Sequence, residues 1–200
     1  MIKTVSFNKL KEHEREVRRD LIISAAERVF AKKAFNMVTI RDIAKEAGIS
    51  HALIYRYFPD QQSLFVEACI RRGAEIVEFV NQLIDDDSNI KIEKVMERFI
   101  RFLAENDQYF RMMTHFVLDG SLNEEMILRL NTAERVLLAQ FDRIFAKAND
   151  EKSARMLSHA LFAAMNGIII TFRNYPGRSK EEALNHMLAL GKIIAERFKQ

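Results

Sequence analysis

The stretch "TIRDIAKEAGISHALIYRYFPD", residues 39–60, places two helix starts, a glycine stop and a proline stop in close succession. Thr39 is followed three residues later by Asp42, the pattern in which a cap oxygen and a first-turn carboxylate satisfy free backbone N–H groups. Ile40, Ile43, Ala44 and Ala47 then share one helical face, and Gly48 follows where a left-handed backbone costs least. Ser50 caps a second short helix after a turn of only a few residues, which makes the pair a helix-turn-helix. Ile49, Ile54 and Phe58 are suited to hold that second helix down. His51, Ala52, Leu53, Tyr55, Arg56 and Tyr57 are left on its outward and flanking faces. An ordinary surface helix would explain the exposed aromatics. It would not explain two caps, a glycine turn and the Pro59 stop at this spacing.

Upstream, Leu21, Ala25 and Val29 recur beside Ile22, Ala26 and Phe30, which predicts a helix with one buried face ending near Lys32 and Lys33. Residues 1–17 mix charges without an apolar stripe and read as a frayed arm or a solvated extension of that helix. The first 60 residues hold 12 Lys and Arg against 8 Asp and Glu, and the remaining 140 hold 19 against 20. The basic excess therefore sits where a polyanion would dock, although small excesses of this kind more often belong to solvated faces.

Ala, Leu, Glu, Lys, Arg and Met dominate, with six Gly and two Pro in 200 residues and no alternating β-branched run, so the fold class is all-α. The single cysteine, Cys69, excludes an internal disulfide framework and a multi-cysteine metal site. No secretory leader pattern is visible, and the apolar run at 160–172 reads as too short and too interrupted by Asn166 to span a bilayer. A cytoplasmic protein with no membrane partner is expected.

Residues 39–64 resemble the DNA-binding signature of the tetracycline-repressor (TetR) family: "TIRDIAKEAGIS" is similar to its second helix and turn, "LIYRYF" to its recognition helix and "DQQSL" to the start of its fourth helix. With the preceding helix, the resemblance covers about 18–66. Two departures bear on DNA contact. Gln61 stands where the family often has Lys, and Ala52 and Leu53 replace the small Gly and the Thr or Ala frequent in its recognition helix. The resemblance implies about nine helices in three segments: an arm or extension at 1–17, a DNA-binding domain at 18–64, and a ligand-binding and dimerisation domain at 65–200.

Phosphate contacts set register on DNA, while side chains at base edges set sequence preference. The hydroxyls of Thr39, Ser50, Tyr55 and Tyr57 suit phosphates, and His51, Ala52, Leu53 and Arg56 suit base edges, with Arg56 able to serve either. Arg41 and Lys45 are backbone contacts or merely solvated. One helix-turn-helix offers little area, so pairing is expected, with two recognition helices about 34 Å apart on a palindromic operator.

The last two amphipathic segments are separated by Asn174, Tyr175, Pro176 and Gly177. Ala160, Ala164 and Gly167 on the first, with Leu184, Met187 and Gly191 on the second, form the expected homodimer surface; the alternative is a helix pair inside one core. The resemblance to a family whose last two helices form a dimeric four-helix bundle favours the former.

Four more helices are expected at about 60–85, 89–105, 107–118 and 122–148. Their Met and Phe residues fit either plain core or the wall of an adaptable apolar pocket. Met96, Phe99, Phe102, Phe110, Met113, Phe116, Leu130 and Phe141 are the candidate lining, beside Met126. His115 and Asn166 are the candidate polar contacts, ahead of Thr114 and Asn131. The five His show no i, i+4 pair, no glycine loop cradles phosphate, and Cys69 has no nearby His, so neither an enzyme, a metal nor a cofactor is expected.

The reading is a DNA-binding transcriptional regulator, a repressor released by a small, largely apolar effector. Its rivals are a regulator controlled by a protein partner or by no ligand, and a helical enzyme carrying a helix-turn-helix. The family resemblance implies that an effector tilts the long helix after Asp60 and so changes the separation of the two recognition helices.

Overall fold

The structure, a computed structural model, describes residues 7–33, 35–87, 89–106, 110, 112, 122–146 and 150–198. Eight α-helices occur in these residues: α1 (Phe7–Lys32), α2 (Ile40–Ala47), α3 (His51–Tyr55), α4 (Gln61–Asp85), α5 (Ile92–Glu105), α6 (Glu124–Phe145), α7 (Glu151–Phe172) and α8 (Lys180–Ala195). Short 3-10 turns occupy Phe35–Met37 and Glu196–Phe198, and no strand occurs among the described residues. The helix expected at 107–118 lies outside them apart from Phe110 and Met112.

Local chemistry sets most of the boundaries. Asp60 caps α4 by accepting from the Ser63 N–H at 2.7 Å. Asn123 caps α6 by accepting from the Met126 N–H at 2.9 Å. Ser179 and Glu182 form a reciprocal capping box at the start of α8. The helix expected from residue 89 begins only at Ile92, because Ile90 closes a turn onto the Asp87 carbonyl at 2.9 Å.

Two apolar cores result. In the first, Ile22, Ile23, Ala25, Ala26, Val29 and Phe30 of α1 pack with Ile43, Ile54, Phe58 and the first half of α4. Phe30 meets Phe65 edge to face, with centroids 4.8 Å apart. Leu21, expected on this buried face, is instead 61% exposed, because a four-residue step overshoots a full helical turn by roughly 40° and carries it beyond Ala25 at the edge of the stripe. The second core gathers Ile76, Val80 and Ile84 of α4 with Met96, Phe99 and Ile100 of α5, Phe141 of α6, and Leu161 and Met165 of α7. Each large side chain buried in this way contributes about 1.5–3 kcal/mol.

Helix α4 belongs to both cores: Leu64, Phe65, Ala68 and Cys69 face the first, and Ile76, Val80 and Ile84 face the second. Helix α1 is longer than its buried face, since residues 7–18 form an exposed helical extension.

Candidate nucleic-acid interface

The two short helices of the motif are held by reciprocal side-chain bonds. At the head of α2 the Asp42 N–H donates to Thr39 Oγ1 at 3.1 Å, and the Thr39 N–H donates to Asp42 Oδ2 at 2.9 Å. The Thr39 hydroxyl also donates to Asp42 Oδ2 at 2.9 Å, so its proton is already engaged before any phosphate arrives. Lys33 Nζ donates to Asp42 Oδ1 at 2.8 Å. The bond from Lys33, followed by those from Thr39, holds the Asp42 carboxyl down at about 2. Gly48 ends α2 at φ 68°, a left-handed conformation that favours glycine.

Ser50 caps α3 by accepting from the Leu53 N–H at 3.3 Å. The α-helix is only five residues long and stops at Tyr55, and the turn then tightens, with both Tyr57 and Phe58 N–H groups donating to the Ile54 carbonyl. Ile54 and Phe58 are buried and fix the inner face. His51, Ala52, Tyr55 and Arg56 are exposed on the outside, and Leu53 and Tyr57 are half-buried flanks.

Ion pairing sorts the cations around this surface. Arg28 Nε binds Glu46 at 2.6 Å, Lys32 lies 3.7 Å from the same carboxylate, and Lys33 holds Asp42, so these three brace α2 against α1. Arg41 and Lys45, four apart on α2, are exposed with no ion-pair partner among the described residues. Arg56 is in the same position.

A further cluster of cations was not singled out in the sequence. The exposed extension of α1 lies beside the end of α3, and a cleft of about 310 Å³ between them is lined by Lys11, Glu14, Arg15, Arg18, Arg56 and Tyr57. The i, i+4, i+7 spacing of Lys11, Arg15 and Arg18 was visible, but its position opposite Arg56 is tertiary.

The expected effector residues divide differently. Met96, Phe99 and Phe141 are fully packed core, with Phe99 meeting Phe141 edge to face at 5.5 Å. Phe102 stacks on Phe79 at 4.4 Å, and buried Phe110 lies under the Arg173 guanidinium at 5.3 Å. The Asn166 amide donates to the Phe162 carbonyl one turn back at 2.9 Å, so its donor serves its own helix. Asn131 is exposed. Met113, Thr114, His115 and Phe116 lie outside the described residues. Of the candidates, Leu130 borders a cavity of about 50 Å³, shared with Cys69, Gly73, Ala133, Glu134, Leu137 and Phe162. That volume is far below the roughly 300–1,000 Å³ of small-molecule sites. Burial, and secondarily the Glu27 charge, pushes the Cys69 thiol far up, so it is inert as a nucleophile.

The expected pairing surface also divides. On α7, Ala160 and Gly167 are exposed and Ala164 is half-buried, beside Met156 and Ile170, which are 62% and 54% exposed. A Cβ on Gly167 would meet nothing within 4 Å. On α8, Leu184 is half-buried, but Met187 and Gly191 turn inward. A Cβ on Gly191 would come within 2.9 Å of Ile100 Cδ1, so this glycine serves α5–α8 contact inside the chain and not a surface between copies. Helix α7 runs 22 residues and is long and apolar enough to cross a membrane by length and composition, unlike the shorter run expected at 160–172.

Charged side chains tie the motif to the rest of the chain. Glu67 of α4 is bound by both Arg19 of α1 and Arg129 of α6. Burial acts to raise its carboxyl, but the bonds from Arg129 and Arg19 outweigh it and hold the group below its ordinary value. No group of His, Cys, Asp and Glu able to hold a metal ion occurs among the described residues.

Residues 22–68 match the model of the bacterial regulatory proteins of the tetR family. The nucleoid occlusion factor SlmA of Aliivibrio fischeri is 28% identical over 130 residues, 64% of this chain and 66% of that protein. The fold is similar to a putative TetR-family transcriptional regulator from Mesorhizobium loti, with TM-score 0.72 and 18% identity over 91% of this chain and 96% of the other. It is also similar to the Bacillus subtilis transcriptional regulator FadR in complex with stearoyl-CoA, with TM-score 0.68 and 21% identity over 86% and 96% of the two chains.

Proposed function

We propose that this chain, a TetR-family DNA-binding transcriptional regulator, is a homodimeric repressor released from a palindromic operator by a small, largely apolar effector. The observation that carries this reading is the outer face of α3, where His51, Tyr55 and Arg56 are exposed on a helix anchored by buried Ile54 and Phe58. Arg41 and Lys45 add exposed positive charge alongside, with no ion-pair partner among the described residues. In this reading, Tyr55, Tyr57 and Ser50 position the protein on phosphates, His51, Ala52, Leu53 and Arg56 face base edges, and Arg41 and Lys45 add backbone contacts. Thr39 contributes through the cap it makes for α2.

Residues 18–64 form the reading unit and 65–200 the sensing and pairing unit, with the exposed small-residue strip of α7 as the surface between copies. The effector enters by enlarging the apolar cavity beside Cys69, Leu130, Leu137 and Phe162. Two features support this site. It abuts α4, which runs into the DNA-binding core, and a protein of the same fold holds stearoyl-CoA. An effector acts only through its difference in affinity for the two forms, and a coupling of about 1–3 kcal/mol lowers operator affinity roughly 5 to 150-fold. The protein works in the cytoplasm, where its DNA lies.

The test is selection of duplexes by the full-length protein from a random library, followed by affinity measurement on selected and random DNA. A palindromic sequence bound far more tightly than random duplex supports the reading, and equal affinity for both overturns it. Titrating long-chain acyl compounds into the selected complex then tests release. A compound that saturates the protein and leaves operator affinity unchanged overturns effector control by that site.

A further inference from the structure

The α1 side of the cleft between the α1 extension and the end of α3, lined by Lys11, Glu14, Arg15 and Arg18, has no role in the contacts assigned so far. Lys11, Arg15 and Arg18 succeed one another at four and three residues on one side of α1, so their side chains stand in a row along the helix. Arg56 and Tyr57, which follow the recognition helix directly, form the opposite wall. Four cations thus face a single carboxylate, Glu14, which pairs with Arg18. Arg15 and Arg56 have no ion-pair partner among the described residues, and Lys11 rests over the exposed Phe7 ring at 4.8 Å. Glu12 and Glu16 lie further round the helix and do not line the cleft.

Such a row of cations costs free energy through self-repulsion unless something negative shares it. The charge calls for an anion, the succession of cations along α1 suits a chain of anions, and the shared wall makes the cleft continuous with the face proposed to read bases. A free phosphate ion would satisfy one or two of these groups. A phosphodiester strand satisfies them in sequence.

We propose that this cleft is a second DNA-backbone site, in which Lys11, Arg15 and Arg18 on the α1 extension grip one strand of the operator beside Arg56 and Tyr57 of the α3 side. The proposal rests on the DNA-binding reading above and adds to it a contact made outside the helix-turn-helix. The α1 cations contribute to affinity and not to sequence choice, because phosphates carry no base identity. Binding there exchanges condensed counterions for Lys and Arg, which makes the contribution salt-dependent.

The experiment compares the full-length protein with Arg15→Gln and with the double variant Lys11→Gln, Arg15→Gln, using a duplex the protein itself selects and a random duplex of equal length. Affinities are measured across a series of salt concentrations. Both substituted side chains are exposed, and unchanged melting temperatures confirm intact folding. The slope of log affinity against log salt should fall by about 1 per removed contact in each bound protomer, with a similar fold-loss on both duplexes. Arg15→Lys should retain the wild-type slope. Lys9→Gln is the control, since Lys9 lies roughly 160° round the helix from Lys11, and it should leave slope and affinity as they are. An unchanged slope in the double variant, or an equal change in Lys9→Gln, overturns the proposal. Wild-type protein that binds neither duplex would instead remove the DNA-binding reading on which it rests, whereas loss confined to the cleft variants supports both.

Discussion

Arg71 of α4 grips Glu27 of α1 at both carboxylate oxygens, Nε lying 2.9 Å from Oε1 and Nη2 2.7 Å from Oε2. The Glu27 side chain is 3% exposed, and Arg72 adds a third contact at 3.0 Å. Arg71 also donates to Ser24 Oγ at 2.9 Å and to the Asp20 carbonyl at 3.2 Å. A buried carboxylate left short of partners is expensive, so Arg71→Met should destabilise the fold by about 3 kcal/mol, the low end for such pairs because Arg72 remains. Replacing Glu27 and Arg71 together by Met should cost less than Arg71→Met alone. Urea unfolding of the two variants and the wild type measures both differences.

Acid should loosen α2. The Asp42 carboxyl, held to about 2 by Lys33 and then Thr39, has an ordinary value of 3.8. A group depressed in the folded state stabilises fully above its unfolded value, and the contribution is lost as pH falls through the folded one. The window is therefore pH 4 to 2. Asp42→Asn should lower the melting temperature at pH 6 and flatten its decline across that window, as thermal melts at successive pH values would show.

Two glycines in similar sequence surroundings should respond in opposite ways. Gly191→Leu drives a side chain into Ile100 and Met96, and overpacking of this kind costs about 1–3 kcal/mol in the folded protomer. Gly167→Ala has open space around it and should gain up to about 1 kcal/mol of helix stability. Gly167→Leu should weaken pairing if α7 is the surface between copies. Sedimentation of Gly167→Leu, alongside thermal melts of all three, tests these outcomes.

Cys69 should resist alkylation in the folded protein. Its thiol is buried and strongly disfavoured as thiolate, so iodoacetamide labelling at pH 8 should be slow in native conditions and fast in urea. Because Cys69 borders the small cavity, an acyl compound that enters there should change the native labelling rate. A rate as fast as in the unfolded chain would show that the α4–α6 contact does not hold.

Features that depend on neighbours in sequence were legible from the residues alone. Thr39, Ser50 and Asp60 cap the expected helices because a side chain and an amide three residues on meet without help from the rest of the chain. Gly48 adopts the left-handed turn for the same reason. Features that join distant segments were not legible. Gly167 and Gly191 both sit in apolar helical stripes, and only the placement of α5 makes one of them a packing residue. Phe99 and Phe141 fit a pocket wall and a core equally well by type, and only the fold shows them buried against each other. The exposed extension of α1 read as either fray or helix, and nothing in its sequence placed it opposite Arg56.

Helices α2 and α3 have eight and five residues, and isolated helices shorter than about 12 residues are marginal in water. The surface proposed to meet DNA therefore has little persistence of its own and depends on the flanking long helices to hold it. Fraying of α1 would abolish that surface instead of reshaping it. By mass action, operator present at 100 times its dissociation constant would add about 2.7 kcal/mol to the stability of the form that binds it. On the proposed reading, DNA would stabilise this part of the chain as well as be its target.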